Sequence, residues 1–308
     1  MPDYGHEMQM GVFLTPGSRS PRQVVDLARL AERAGLDILA LQDHPYQPAF
    51  LDTWTLLSYL GAATERIRLT PDVANLPLRP PAVLARAVAS LDLLTGGRVE
   101  LGLGAGGFWD AIVAMGGPRR TPGEAVGALE DAITVMRELW DPTRRHVRAG
   151  GSFYRLDGAK PGPAPAHDVS IWLGAYRPRM LRLTGRLADG WLPSSTGMPP
   201  EQLAAANAIV DDAARAAGRS PADVRRLYNL AGSFDGSGAG FLQGPPHVWA
   251  EQLTDLALTE GTSTFVLMTD DPGTIERFAA EVAPAVRELV ADERAAPAQT
   301  SPAPRDRA

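Results

Sequence analysis

Short β-branched or leucine-rich runs alternate along the chain with longer helical patterns, and this alternation limits the possible folds more than any other feature. Repeated strand–helix units are typical of a parallel sheet. Eight such units can be drawn, and their strands are predicted at Met10–Thr15, Asp37–Gln42, Ile67–Ala74, Arg98–Leu103, Val169–Gly174, Gly190–Pro193, Arg226–Gly232 and Thr264–Met268. The chain of 308 residues is long enough for one (β/α)8 TIM barrel of the α/β class, which needs about 250 residues.

Helix boundaries carry local signals that support these units. Thr121 precedes a proline and stands three residues before Glu124, which is the pattern of a capping box. Gly35 and Gly218 follow helical patterns and are predicted to end them in the left-handed conformation.

Residues 140–167 interrupt the alternation between helix four and strand five. The stretch is rich in proline, glycine and arginine, so it is predicted to be an insertion with a short strand at Ser152–Leu156. In a barrel, such an insertion either shapes the active-site mouth or is a surface loop. The barrel is expected to form a single domain over residues 1–290, and residues 291–308, rich in Ala, Pro and Arg, are expected to be a disordered tail.

Composition narrows the classes of function. The net charge of −6 argues against a nucleic-acid partner, since such proteins usually carry a basic surface. No apolar run approaches the roughly 20 residues of a membrane helix, and Met1–Met10 lacks the apolar segment of a secretory signal. The absence of cysteine excludes disulfides and thiolate metal centres, and the histidines lack metal-ligand spacing. We therefore expect a cytoplasmic enzyme without a metal, whose redox chemistry would need an organic cofactor.

The predicted end of strand two carries Asp43, His44 and Tyr46, on the face where barrel active sites lie. His44 is a candidate acid or base, because histidine exchanges protons near neutral pH. Asp43 can set the tautomer of His44 or hold a backbone amide; alternatively, Asp43 only caps a turn and His44 is an ordinary loop residue. Four aromatic residues near this face either line an apolar substrate pocket or serve only in core packing: Tyr46, Trp54, Phe108 and Trp109.

Three further segments place ligand-binding groups at this face. Asp72 and Asn75 end strand three, and Arg79 beyond them can pair with a carboxylate or position a loop. The glycine-rich run 102–107 can leave bare backbone for a flat ring; a dinucleotide fingerprint is the alternative, although such a motif normally occupies the first βα unit. Tyr176 and Arg177 open a helix whose N-terminus can bind a cofactor phosphate, unless it is merely a solvated basic helix start.

Taken together, several segments resemble the bacterial luciferase-like family of flavin- and deazaflavin-dependent oxidoreductases. The resemblance extends from Gly11 to Ala283 and is most specific over residues 79–107. The segments that carry it are Asp43-His44, Asp72–Arg79, Ala82–Arg98, Gly102–Gly107, Trp172–Ala175 and Ala188–Trp191.

The resemblance implies an isoalloxazine-type ring at the barrel mouth, with its phosphate near strands five and six, and a homodimer. Members use FMN or the deazaflavin coenzyme F420. The deazaflavin branch has an Asp-His pair after strand two and a non-proline cis bond in strand three, which match Asp43-His44 and Asp72-Val73 and favour F420. The implied catalytic residues are His44 and Asp43, and the implied cofactor contacts are Asp72, Val73, Asn75, Gly104, Gly106, Gly107, Asp110, Gly174, Ala175, Tyr176 and Arg177.

The chain departs from the family's sugar-phosphate dehydrogenases after the glycine run. Those enzymes have an acidic residue where this chain has Gly107, and Asp110 is the candidate to replace its polar contact. The primary hypothesis is F420-dependent hydride transfer to or from a small organic substrate. An FMN-dependent monooxygenase and a non-catalytic flavin- or ligand-binding paralogue are the alternatives. Hydrolysis has no support, because no serine occupies a nucleophile elbow.

Overall fold

The strands of the main sheet pair in parallel throughout in the computed structural model, which describes residues 3–235 and 240–296. The strands of the structure are β1 (Gln9–Leu14), β2 (Ile38–Leu41), β3 (Arg68–Pro71), β4 (Ala74–Asn75), β5 (Leu101–Gly104), β6 (Val147–Gly150), β7 (Arg155–Ala159), β8 (Ile171–Leu173), β9 (Gly190–Trp191), β10 (Arg225–Leu230) and β11 (Thr262–Met268). Nine of them form the main sheet, in the order β3-β2-β1-β11-β10-β9-β8-β5-β4. The other two, β6 and β7, form a separate antiparallel hairpin.

The sheet closes into a barrel because β3 and β4 are two halves of one strand, interrupted at residues 72 and 73. The lower half pairs with β2, and the upper half pairs with β5. Leu69 also forms a parallel bridge with Val99, just before β5, through its N–H to Arg98 O at 2.7 Å and its carbonyl to Glu100 N at 3.0 Å. Counting β3 and β4 together gives the eight strands of the predicted (β/α)8 barrel.

Helices follow the barrel strands and cover the outside of the sheet. Their bounds are α1 (Pro21–Arg33), α2 (Thr53–Ala63), α3 (Pro81–Thr95), α4 (Trp109–Ala114), α5 (Pro122–Trp140), α6 (Pro178–Leu187), α7 (Leu203–Ala216), α8 (Pro246–Glu260), α9 (Pro272–Arg277) and α10 (Ala283–Ala295). The predicted capping box is present at the start of α5, where the Thr121 hydroxyl accepts from Glu124 N and the Glu124 carboxylate accepts from Thr121 N. Among the described residues, no helix is both long and apolar enough to cross a membrane.

Two layers of apolar side chains hold the barrel together. The outer layer lies between the sheet and the helices, and β2 and β5 are buried along their whole length. Inside the barrel, Ile38, Trp172, Leu192 and Leu227 form a small cluster, and Val73 packs on it from the interrupted strand. Each fully buried apolar side chain contributes about 1.5–3 kcal/mol to folding. The inner cluster therefore gives the base of the barrel mouth a rigid support.

The strand in the insertion begins at a later residue than predicted. A strand was expected at Ser152–Leu156, but β7 begins only at Arg155. The N–H groups of Phe153 and Tyr154 instead donate to the Asp131 carboxylate on α5, at 2.8 and 3.3 Å, so they form the hairpin connection. The hairpin packs along α5.

The end of the predicted tail also differs. Residues 291–295 continue α10 rather than being disordered. The apolar side chains of Val286 and Val290 are buried along this helix, and the Arg294 guanidinium holds the last turn by donating to Asp3 at 2.7 Å. Residues 297–308 lie outside the described residues.

Candidate active site

A cavity of about 620 Å³ opens at the mouth of the barrel, where the carboxyl ends of the strands meet. Most of the sequence-predicted ligand residues line it: His44, Tyr46, Asp72, Val73, Asn75, Gly104, Gly106, Gly107, Phe108, Gly174, Tyr176 and Arg177. The wall also contains residues that the sequence reasoning missed: Phe13, Gln42, Ala74, Ala105, Met180, Leu192 and Ser194. Gln42, Ala74 and Ala105 are direct sequence neighbours of predicted residues, so the strand ends indicated the right segments but not these side chains.

The interrupted strand forms a bulge in the cavity wall, and its Asp72-Val73 peptide bond is cis, as the resemblance implied. The bulge comes close to β5 because β5 carries glycines there. A Cβ on Gly102 would lie 2.1 Å from the Pro71 carbonyl oxygen, and a Cβ on Gly104 would lie 2.6 Å from Val73 Cγ2. Glycine at these two positions therefore lets the bulge and its valine occupy this part of the wall.

Asp43 anchors the bulge from behind. It is 2% exposed, and its carboxylate accepts from the Asn75 backbone N–H at 2.8 Å and from two nitrogens of the Arg79 guanidinium at 2.6 and 2.7 Å. Arg79 also donates to Asp52 at 2.6 Å. Of the two proposed roles for Asp43, holding a backbone amide agrees with this geometry. Asp43 does not line the cavity, and its contacts are those of a residue that positions the bulge. Its catalytic role stays a prediction.

His44 lies in the cavity wall, half-buried. Its Nδ1 shares a hydrogen bond of 2.6 Å with the Tyr46 hydroxyl. Burial lowers the pKa of His44 below 6.5, against a smaller upward effect of the Asp43 charge. Burial also raises the pKa of Tyr46 to about 12. The imidazole is thus neutral at pH 7, with Nδ1 bonded and Nε2 left for proton exchange.

Two rings, those of Tyr46 and Phe108, form an apolar face beside His44. The ring centroids of His44 and Tyr46 are 5.4 Å apart, and Phe108 meets His44 edge-on at 5.5 Å and Tyr46 at 5.9 Å. Phe108 is 63% exposed. An exposed aromatic side chain at a cavity rim offers a surface on which an apolar group can stack.

Asp72 brings a second titratable group into the wall. Its Oδ2 is buried and has no hydrogen-bond partner among the described residues. Burial raises the pKa of Asp72 to about 7, opposed by a hydrogen bond from the Asn229 side chain. Asn229, on β10, was not singled out from the sequence, because nothing local marks a residue that acts across the barrel.

The start of α6 follows β8, the neighbour of β5, and its residues Tyr176 and Arg177 line the cavity. Arg177 is the residue that precedes the first turn, and Tyr176 accepts a hydrogen bond from Ser194 N at 3.0 Å. Backbone N–H groups at a helix start and an exposed guanidinium suit an anion such as a phosphate.

Four predicted contacts do not line the cavity. Trp54 packs on the outer core from α2. Ala175 is buried, with its carbonyl accepting from Trp191 Nε1 at 2.9 Å. Helix α4 turns Trp109 against Gly106 and leaves Asp110 97% exposed in an ion pair with Arg119.

The bulge, the glycine-cleared wall and the anion-binding helix start fit a flavin-type cofactor: a flat ring system with a phosphorylated side chain. Gly107 lines the cavity, and a Cβ there would meet nothing within 4 Å, so bare backbone faces open space. The residues that would hold the ring are Val73, Asn75 and Gly107, and Arg177 would hold the phosphate.

Comparison with known proteins gives a consistent picture. The family model described as luciferase-like monooxygenase matches residues 8–234. The F420-dependent glucose-6-phosphate dehydrogenase of Nocardia farcinica (strain IFM 10152) is 34% identical over 241 residues, covering 74% of this chain and 70% of that protein. That similarity covers most of the barrel.

Solved structures show the same fold at lower sequence identity. An F420-dependent secondary alcohol dehydrogenase, in complex with an F420-acetone adduct, superposes with a TM-score of 0.80 at 19% identity, covering 91% of this chain and 99% of that one. The monooxygenase RslO1 from Streptomyces bottropensis gives 0.76 at 22% identity, covering 90% and 99%. Both comparisons support the barrel fold.

Proposed function

The chain belongs to the luciferase-like monooxygenase family, and from this premise we propose that it is an F420-dependent oxidoreductase that moves a hydride to or from a small organic substrate. Membership confirms the resemblance drawn from the sequence. The deazaflavin choice is supported by the relative named as F420-dependent at 34% identity. When bound, the deazaflavin supplies the carbon that exchanges the hydride.

The observation that carries the proposal is the cavity wall in which the Asp72-Val73 bulge meets glycine-cleared backbone. Val73 rests on the inner cluster of the barrel and gives a ring a rigid apolar support. Asn75, held through its backbone by Asp43, offers an amide to the ring edge. These residues bind and orient; they do not react.

His44 is the residue placed to move a proton. As a neutral base it can take the hydroxyl proton of an alcohol substrate on Nε2 while the carbinol C–H bond gives up its hydride; in the opposite direction, the imidazolium returns that proton to the carbonyl oxygen. Tyr46 fixes the orientation of the ring through Nδ1. The Tyr46–Phe108 face next to it favours a substrate with an apolar group.

An FMN-dependent monooxygenase is the second candidate, supported by the description of the matching family as luciferase-like monooxygenase. Both candidates need a flat ring in the same cavity, so geometry alone does not separate them. Oxygen consumption coupled to substrate turnover does, because hydride transfer between deazaflavin and an alcohol needs no oxygen.

The test is a titration of the purified apoprotein with F420 and, separately, with FMN, following tryptophan fluorescence and the cofactor's own spectrum. Tight binding of F420 with weak binding of FMN supports the proposal. The reverse preference supports the monooxygenase. Binding of neither overturns both, and binding of F420 without any spectral change on adding alcohols or ketones supports a non-catalytic binding protein.

We further propose a homodimer, supported by an apolar stripe on α3. Val83 and Leu94 are 69% and 85% exposed, and with Ala87 and Ser90 they recur on one helix face. Tyr59 on α2 is also 63% exposed. Val83→Glu with Leu94→Glu is expected to give a monomer by light scattering, and an unchanged mass would contradict this interface.

We propose a cytoplasmic location as well, because a diffusible redox cofactor is shared with the enzymes that regenerate it.

A further inference from the structure

A polar group crosses the barrel interior beneath the cavity mouth. Asn229 on β10 donates through Nδ2 to Ser194 Oγ at 3.1 Å, and its side chain acts across the barrel to lower the pKa of Asp72. Asn229 is 1% exposed, while Asp72 and Ser194 both line the cavity. The group thus connects the bulge with the far wall of the site.

Two buried oxygen atoms of these side chains lack a hydrogen-bond donor within residues 3–235 and 240–296. Asp72 Oδ2 and Asn229 Oδ1 are both buried, and neither has a hydrogen-bond partner among the described residues. Both atoms are acceptors when Asp72 is ionised. Leaving a buried acceptor unsatisfied is unfavourable, and more so when it is charged. A proton on Asp72 turns one of these acceptors into a donor and removes the buried charge.

Other ionisable groups face the same cavity, namely His44 and Tyr46 beyond β2, and Tyr176 and Arg177 before α6. None of them forms a hydrogen bond or an ion pair with Asp72 within the described part of the chain. Burial therefore disfavours the ionised form of the Asp72 carboxyl group, and no cation among the described residues contacts it.

We propose that Asp72 is a proton-binding residue of the cofactor site: it enters the complex as a neutral acid, and the site takes up one proton there when the ring binds above neutral pH. The inference rests on the proposed function. Its reason is chemical. The ring system of a deazaflavin presents carbonyl oxygens with partial negative charge, so an ionised carboxylate in the wall repels it, whereas a neutral acid does not.

The first experiment measures the Kd of F420 between pH 6 and pH 9 for the wild type and for Asp72→Asn, which keeps the shape and cannot ionise. The wild-type Kd is expected to rise about fivefold from pH 7 to pH 8 and about tenfold from pH 8 to pH 9, relative to the variant. Taking the ratio of the two proteins removes the titration of the cofactor and of His44. Asp212→Asn, an exposed carboxylate on α7, is the matched control and should follow the wild type.

A constant ratio across this range overturns the proposal. Failure of F420 to bind either protein at any pH overturns the proposed function instead, and a second experiment then decides on Asp72 alone. It follows urea unfolding of the apoproteins. Because the pKa of Asp72 is raised in the fold, its stabilising effect is present below about pH 4 and is lost as the pH rises to about 7.

Asp72→Asn should therefore gain stability relative to the wild type as the pH rises from about 4 to about 7, with a constant difference above that range. A difference that does not change with pH contradicts a proton at Asp72. If Asp72→Asn does not fold, Asp72→Ser replaces it in both experiments, since it also removes the ionising group.

Discussion

Asp43 and His44 are adjacent in the sequence, but at the scale of single residues they have different roles. Successive side chains at a strand end point to opposite sides. Asp43 points behind the wall, to Arg79, and His44 points into the cavity. We therefore propose that Asp43 supports the bulge and that His44 carries the proton, and each role can be tested separately.

Replacing His44 by alanine should lower turnover by about 10²-fold or more, as is typical for the loss of a general acid or base. The apoprotein should still fold and bind the cofactor. In the wild type, kcat/KM should fall as the pH drops below 6.5 through the lowered pKa of His44, because the base becomes protonated. His247→Ala, an exposed position on α8, is the control. Unchanged turnover in His44→Ala would remove His44 from the mechanism.

Replacing Arg79 by alanine should lower the free energy of unfolding by about 3 kcal/mol, because it leaves the Asp43 carboxylate buried and deprived of its cation. The matched control is Arg148→Ala, which breaks an exposed pair with Asp157 and should change stability by less than about 1 kcal/mol. Urea unfolding measures both. Equal small effects would show that Asp43 needs no countercharge.

At the scale of elements, the barrel mouth depends on how one interrupted strand meets its neighbour. β3 continues into β4 through the bulge, and β5 accommodates it with Gly102 and Gly104. The glycine run is therefore part of the wall's architecture, and the dinucleotide alternative finds no support in the position of this strand within the barrel.

Gly104→Ala tests this fit. The added methyl group would lie 2.6 Å from Val73 Cγ2, so the bulge must shift, at a stability loss of about 1–3 kcal/mol. Cofactor affinity should fall with it. Gly107→Ala meets nothing within 4 Å, so it should keep the stability and affect only what occupies the cavity. Thermal unfolding and cofactor titration separate the two outcomes, and equal stability of the two variants would count against the close fit.

At the scale of the whole molecule, the other end of the barrel is fastened by a charged cluster. His167 Nδ1 lies 3.0 Å from Asp92, its Nε2 lies 3.4 Å from Glu100, and Arg68 donates to Glu100 at 2.8 Å. The Glu100 carboxylate also accepts from Ser170 N at 2.8 Å. The entries of β3, β5 and β8 are thereby joined at the end opposite the active site.

This cluster predicts a pH dependence of stability. The hydrogen bond to Glu100, with a further one to Asp92, raises the pKa of His167 above 6.5 despite burial. Its stabilising effect is fully present below pH 6.5 and is lost as the pH rises through the raised pKa. The stability of the wild type relative to His167→Gln should therefore fall above pH 6.5 in urea titrations. Subtracting the variant is necessary because Asp72 titrates in a nearby range. A difference independent of pH would contradict the ion pairs of His167.

The sequence by itself determined the barrel, its strand ends and the family, because these depend on periodicity, on glycine and proline positions and on motifs within a few residues of one another. Strand ends also gave most of the cavity wall, since all carboxyl ends of a parallel barrel meet at one face. Local pattern did not determine which way each of these side chains points.

Only the tertiary structure decided the remaining points. It turned Asp43 to Arg79, packed Trp54 against the outer core and left Asp110 in solvent. It also brought Asn229, more than 150 residues along the chain, to Asp72. Pairings of this kind depend on the packing of distant strands around a common interior, and no local sequence signal specifies a hydrogen bond across a barrel.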